Sequence, residues 1–203
     1  MSTDWEQHYL DKNTPWDKGA AAPPLLEWAE ANGRLLGGNI AVPGCGTGHD
    51  VRALADLGTV DHVLGLDLSP SAVAAALAEG GGAKVSYEVA DLFDLPARFH
   101  ESCDWVWEHT CFCAIDPAKR EAYVDAVYGL LKPGGHLLGV FYLNPYDNDH
   151  ASEGGPPHGV TEDELVSRFS VSGRFELVER YVPKRSYPGR EGLELVLRLR
   201  KVG

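Results

Sequence analysis

The strongest constraint on this chain is an order of segments: short apolar runs, each closed by a turn, alternate with stretches of helical pattern. Residues 39–42 form a strand pattern, and residues 50–57 (DVRALADL) carry a helical face that stops at Gly58, which suits a helix C-cap. Residues 62–67 repeat the strand, after which Ser69-Pro70, a cap followed by a first-turn proline, opens an alanine-rich helix reaching Gly80. Strands at 84–89 and 103–107 follow, then a helix opened by Asp116-Pro117 and closed near Lys132-Pro133-Gly134-Gly135, then a strand in HLLGVFYL. Strands joined through helices run parallel with right-handed crossovers, so these five predict an open doubly wound sheet. A capping pattern, Thr161-x-x-Glu164, starts one more helix. The order then changes, because two strand-like runs at 175–182 and 193–200 succeed one another across the turn-rich PKRSYPGREG. The expected fold is therefore α/β and Rossmann-like, a mostly parallel seven-stranded sheet with a C-terminal antiparallel hairpin.

A chain of 203 residues with 44% hydrophobic content supports one well-filled core, and residues 1–203 are expected to form a single domain. The 30 acidic residues outnumber the 18 basic ones, and the net charge of −12 repels a phosphate backbone and an anionic lipid surface. The expected partner is a small molecule, with no nucleic acid, no membrane, and a monomeric or weakly homo-oligomeric chain. No run has the length of a membrane span or a signal-peptide core, so a cytoplasmic location is expected. Cys45, Cys103, Cys111 and Cys113 lack the spacing of a disulfide scaffold or a zinc ribbon and are expected to be reduced, mostly core thiols. The run DNDH at 147–150 lacks regular ligand spacing, and no metal site is expected.

The stretch PGCGTG joins the first strand to its helix, where bare backbone at Gly44, Gly46 and Gly48 lets a ligand approach. A dinucleotide fingerprint requires G-x-G-x-x-G, and here the third glycine comes one position early. Asp67 ends the second strand 21 residues after Gly46, where a carboxylate can accept hydrogen bonds from both hydroxyls of a ribose. Asp91, closing the third strand, can accept from an exocyclic adenine amine while Leu92 borders the ring. A nucleoside site results. A nucleotide-dependent oxidoreductase and a cofactor-binding protein without activity remain as alternatives.

The glycine loop, Asp67 and Asp91 at the ends of three successive strands resemble the cofactor site of class I S-adenosylmethionine methyltransferases. More narrowly, WEQHY at 5–9, TPWD at 14–17, VPGCGTGHD, EHTCFCAIDP at 108–117, LLKPGG at 130–135 and GGPPHGV at 154–160 resemble the thiopurine methyltransferase superfamily. Within it the chain is most similar to the thiol and halide methyltransferases. The resemblance implies methyl transfer from S-adenosylmethionine to a small soft nucleophile: a thiol, thiopurine, sulfide or halide. It also implies that residues 1–22 fold over the cofactor, held by Trp5, Tyr9, Trp16, Gly44, Gly46, Asp67, Leu68, Asp91, Leu92 and His109. The acceptor would lie beside Trp16, Phe112, Gly155, Pro156, Pro157 and His158, with residues 144–159 as a substrate-side loop. Trp5 and Trp16 would attract the positive sulfonium through their ring faces.

The family usually has Asp followed by Tyr or Arg at the end of the fourth strand, whereas this chain has Glu108-His109. That departure leaves the preferred acceptor open. A hydrogen-bonded histidine lining the cofactor is the expectation at 109, and general-base catalysis the alternative. A soft anion needs no proton removed, so holding it behind the methyl group and stripping its water would carry the reaction.

Overall fold

A computed structural model describes residues 3–143, 155–170 and 173–203. Its helices are α1 (Trp5–Leu10), α2 (Pro23–Asn32), α3 (His49–Ala55), α4 (Pro70–Glu79), α5 (Arg120–Leu130) and α6 (Glu162–Ser170). Its strands are β1 (Gly38–Pro43), β2 (Val60–Asp67), β3 (Val85–Val89), β4 (Cys103–His109), β5 (Leu131–Tyr142), β6 (Phe175–Tyr181) and β7 (Glu194–Lys201). They form one sheet in the order β3-β2-β1-β4-β5-β7-β6. Pairings among β1 to β5 are all parallel, while β7 runs antiparallel between β5 and β6. The chain winds outward from β1 through β2 to β3 and then from β4 to β5 on the other side. The gap between β1 and β4 at their carboxyl ends is thus the switch point where ligands of such sheets sit.

Local chemistry explains the element ends nearest that gap. The Ser69 hydroxyl oxygen accepts from the Ala72 N–H at 3.0 Å, Pro70 fills the first helical position, and Gly80 at φ 79° stops α4. The Thr161 hydroxyl oxygen likewise accepts from the Glu164 N–H at 3.2 Å ahead of α6. The sequence pattern passed over α2, because PPLLEWAEAN has a narrow apolar stripe: Leu25 and Trp28 turn inward while Leu26 is exposed. It also placed the start of β5 too late, since extended pairing with β4 begins at Leu131 opposite Cys103, before a register shift at KPGG.

Both faces of the sheet are covered. Val42, Trp105, Trp107, Leu138, Val140 and Val196 pack beneath α2, α3 and α4. Ala41, Val106, Leu137, Phe141 and Leu197 pack beneath α5 and α6. Consecutive residues of β4 therefore belong to opposite layers, as the period of a strand requires, and this separates the roles of Glu108 and His109 below.

Candidate active site

The loop after β1 is shaped by three glycines in left-handed conformation, Gly44 (φ 62°), Gly46 (φ 54°) and Gly48 (φ 82°). A Cβ on Gly48 would lie 2.4 Å from the Tyr87 hydroxyl, and one on Gly44 would lie 3.1 Å from the Cys111 sulfur. A Cβ on Gly46 would lie 3.0 Å from the Tyr9 hydroxyl, so this glycine faces the N-terminal segment. Its N–H donates to Asp67 Oδ2 at 2.9 Å, and the Ser69 N–H donates to Asp67 Oδ1 at 2.9 Å. Each carboxylate oxygen of Asp67 thus spends one lone pair on the backbone and keeps one for a ligand donor. Burial pushes the Asp67 carboxyl upward, opposed by those backbone N–H groups.

The N-terminal segment lies over this loop and is fastened at two points. The Glu6 carboxylate accepts from the Ser69 hydroxyl at 2.5 Å, the Ser71 hydroxyl at 2.6 Å and the Ser71 N–H at 3.0 Å, which docks α1 on the start of α4. The Asp17 carboxylate accepts from the Thr47 hydroxyl and stands within reach of His49. Between these anchors the Trp16 ring meets Trp5 edge-on at 5.3 Å and Tyr9 at 5.9 Å, with its Nε1–H donating to the Tyr9 hydroxyl at 3.3 Å. Burial and the nearby Asp67 carboxylate raise the Tyr9 phenol far above its ordinary value, so it stays neutral. The three rings thus pack as an aromatic box, and Tyr9 is the ring that stands near the Asp67 carboxylate.

At the end of β4 the chain splits its chemistry between the two layers. Glu108 is buried on the α5 side, where Oε1 accepts from the Phe112 N–H at 2.8 Å and Oε2 accepts from the Tyr123 hydroxyl. Burial pushes its carboxyl up to about 7, opposed by these donors and by His109. His109 faces the α3 side, its Nδ1 3.2 Å from Asp50 Oδ2. Asp50 Oδ2 also accepts from Trp107 Nε1–H at 2.8 Å, and Oδ1 from the Ala22 N–H at 2.7 Å. Burial works to raise the Asp50 carboxyl, yet His109 and the other donors hold it below the usual carboxylate range. The next residue, Thr110, adopts φ 62°, a strained conformation for a β-branched side chain, and turns the chain sharply after His109.

The structure brings Trp5, Tyr9, Trp16, Gly46 and Asp67 together, with Gly44 set against Cys111 and with Leu68 exposed at the rim. Ala90 N–H donates to the Asp67 carbonyl at 2.9 Å, which places Asp91 and Leu92 beside the same carboxylate-bearing strand end. Asp91 Oδ1 accepts from the Phe93 N–H at 2.9 Å, and Leu92 rests half-buried on the α5-side core. Phe112 is placed otherwise: its ring is buried among Tyr123, Phe141 and Phe169, backing the site from within the core. The segment from Gly155 to His158 folds against the turn that follows β4, where the His158 N–H donates to the Cys113 carbonyl at 2.6 Å. Arg120 fixes it further by donating to the carbonyls of His158 at 3.3 Å and Gly159 at 2.9 Å. Pro156 and Pro157 are half-buried there, and residues 144–154, with the DNDH run, lie outside the described residues.

Sequence reasoning missed the roles of Glu6, Asp17, Asp50 and Tyr187. The first three stand inside recognised motifs (WEQHY, TPWD, GHD) as polar neighbours of the glycine loop, which was the available signal. Tyr187, whose hydroxyl donates to the Ala20 carbonyl at 2.6 Å, lies in a turn-rich run that offered none. A depression lined by Gly38, Asp104, Trp105, Lys132 and Arg198 sits at the amino ends of β1, β4 and β5, away from all of these groups.

A family model described as Thiopurine S-methyltransferase matches residues 1–186. The chain is 36% identical to Thiocyanate methyltransferase 1 of Arabidopsis thaliana, covering 98% of this chain and 84% of that protein. It is 34% identical to Probable thiol methyltransferase 2 of the same plant, covering 97% and 84%. A solved structure concerned with conversion of a disulfide bond into a thioacetal group during echinomycin biosynthesis is similar at a TM-score of 0.78 and 26% identity, covering 100% of this chain and 93% of that one.

Proposed function

Because the chain belongs to the thiopurine S-methyltransferase family, we propose that it transfers the methyl group of S-adenosylmethionine to a small soft nucleophile, above all the sulfur of a thiol. The observation that carries this is the Tyr9 hydroxyl, bonded to Trp16 within the Trp5, Tyr9 and Trp16 box, standing over Gly46, whose own N–H is held by Asp67. A nucleoside bearing a cation matches that arrangement: Asp67 retains two lone pairs for a ribose diol, Gly44 and Gly46 offer bare backbone, and the rings face a positive charge. Asp91 and Leu92 supply the adenine contacts in this reading.

S-adenosylmethionine supplies a methyl group already activated by its positive sulfur. The chain's contribution is to orient that cation within the aromatic box, to exclude water with residues 1–22, and to hold the acceptor at the end of β4. A soft anion stripped of water gains reactivity without a metal or a covalent enzyme adduct. The acceptor side comprises His109 and the Gly155–His158 segment, with Phe112 behind it. The whole chain acts as one domain with a small-molecule acceptor, as a monomer or weak homo-oligomer in the cytoplasm; no helix among the described residues is long and apolar enough to cross a membrane.

Ligand-dependent unfolding tests this. S-adenosylhomocysteine at 100 times its dissociation constant should add about 2.7 kcal/mol of stability, and NAD none. Mass spectrometry of an acceptor panel should then detect methylated thiols, and stabilisation by NAD with no methylated product would overturn the assignment.

A further inference from the structure

His109 departs from the family pattern, and its surroundings are those of half a proton relay. An ionised carboxylate only accepts hydrogen bonds, so the contact between Asp50 Oδ2 and His109 Nδ1 at 3.2 Å puts a hydrogen on Nδ1, and in the neutral ring this leaves a lone pair on Nε2. A structural histidine ordinarily closes both nitrogens, yet Nε2 of His109 is buried and has no hydrogen-bond partner among the described residues. The neighbouring donors are committed elsewhere: Trp107 Nε1–H to Asp50 and the Tyr187 hydroxyl to the Ala20 carbonyl. The Tyr187 ring centre lies 6.0 Å from that of His109, and the Thr110 turn ends the strand there, at the carboxyl edge of the sheet.

We propose that Asp50 and His109 form a dyad whose Nε2 atom accepts the proton of a thiol acceptor, making His109 a catalytic residue and Asp50 its positioning partner. This rests on the methyl-transfer function above. As a sulfur lone pair forms the new bond to the methyl carbon, the carbon leaves its sulfonium sulfur and the old bonding pair stays on that sulfur. The S–H bond breaks with its electrons kept by the acceptor sulfur, and the proton goes to Nε2. The resulting imidazolium is neutralised by Asp50 and later yields its proton to water. An acceptor that is already an anion, such as iodide or thiocyanate, carries no proton and gains nothing from the dyad.

The titratable groups tied to His109 are Asp50 on α3, Glu108 on the opposite face of β4 and Tyr187 before β7, and beyond Tyr187 lie Asp17, Arg190 and Glu194. The experiment therefore compares acceptors. In wild-type protein, kcat/KM against pH for two thiols of different acidity should share one enzyme-borne limb, while iodide shows none. The limb should survive Glu108→Gln. His109→Gln should abolish it and reduce thiol turnover by about 100-fold or more, a far larger loss than the same substitution causes with iodide. Independently of turnover, nitrogen NMR of histidine-labelled protein bound to S-adenosylhomocysteine should show the Nδ1–H tautomer at His109, with Nε2 gaining a proton when thiol is added. Profiles that track each thiol's own ionisation, equal loss for thiol and iodide, or an Nε2–H tautomer would each overturn the dyad. If His109→Gln does not fold, Asp50→Asn and the wild-type tautomer decide. If the wild type methylates no acceptor, the methyl-transfer function falls, and proton uptake on thiol binding still judges the dyad.

Discussion

The Asp17 carboxylate accepts a hydrogen bond from the Thr47 hydroxyl at 2.7 Å and stands 3.2 Å from His49 Nε2, so one side chain fastens the N-terminal segment to the glycine loop. Asp17 directly follows Trp16, which makes the latch a determinant of where the aromatic box closes. Asp17→Ala should weaken S-adenosylhomocysteine binding by about 5- to 30-fold, the equivalent of losing one or two hydrogen bonds, with little change in thermal stability because the contact lies outside the core. Calorimetric titration measures the first quantity and thermal unfolding the second. An unaltered affinity would detach the latch from cofactor binding.

Asp67 carries two loads that can be separated. Its carboxylate orders the backbone at Gly46 and Ser69, and its remaining lone pairs face the site. Removing hydrogen bonds to a charged group costs roughly 1.5–3 kcal/mol, so Asp67→Ala should lower cofactor affinity by about 10- to 150-fold. It should also lower unfolding stability, since the buried Ser69 N–H and the half-buried Gly46 N–H lose their acceptor. Titration and urea unfolding of the same variant test both parts. A folded variant with wild-type affinity would remove Asp67 from the site.

How much of this was legible in the sequence follows from which forces are local. Alternating apolar runs and caps such as Ser69-Pro70 are written in neighbouring residues, and they specify the crossovers that create the switch point between β1 and β4. The meeting of Gly46 with Asp67 follows the same local logic, because Asp67 ends β2 and Gly46 lies in the loop just after β1. What stayed hidden depends on contacts between distant segments: Asp50 with His109, 59 positions apart, and Tyr187 with Ala20, 167 positions apart. Phe112 shows the same limit. Its motif suggested an acceptor wall, but the 3.6-residue periods of α5 and α6 present Tyr123 and Phe169 to it and draw the ring into the core.

The three loop glycines are not equivalent, and Gly48 is the one the fold itself requires. Its φ of 82° costs an L-residue about 1–2 kcal/mol, and an added Cβ would meet the Tyr87 ring and hydroxyl at 2.4–2.8 Å. Gly48→Ala should therefore destabilise by more than the backbone cost alone, and in a Tyr87→Ala background the same substitution should cost only the backbone share. A double-mutant cycle in urea reads the difference as coupling. Additive effects would show that Tyr87 yields freely and that packing at Gly48 is not constraining.

Glu108 gives the fold a pH dependence whose sign is fixed by burial. Its folded-state value of about 7 lies above the 4.5 of an ordinary glutamate, chiefly because burial disfavours the charged form. The folded protein thus holds this proton more tightly than the unfolded chain. The associated stability is fully present below about pH 4.5 and is lost as pH rises through about 7, a change on the order of 3 kcal/mol. Asp50 acts in the opposite sense but at lower pH, because its folded value is depressed and its stability is lost only as pH falls through that value. His136 and His158, both lowered chiefly by burial, also oppose Glu108, so the diagnostic quantity is the difference between a variant and wild type. In Glu108→Gln the amide oxygen can still accept from the Phe112 N–H, and its NH2 can donate to the Tyr123 oxygen without a buried charge at any pH. Urea unfolding between pH 5 and 8 should show the variant gaining on wild type as pH rises, with most of the gain between pH 5 and 7.5. Parallel curves for the two proteins across that range would mean that Glu108 does not titrate there and that Tyr123 and Phe112 hold it in one protonation state throughout.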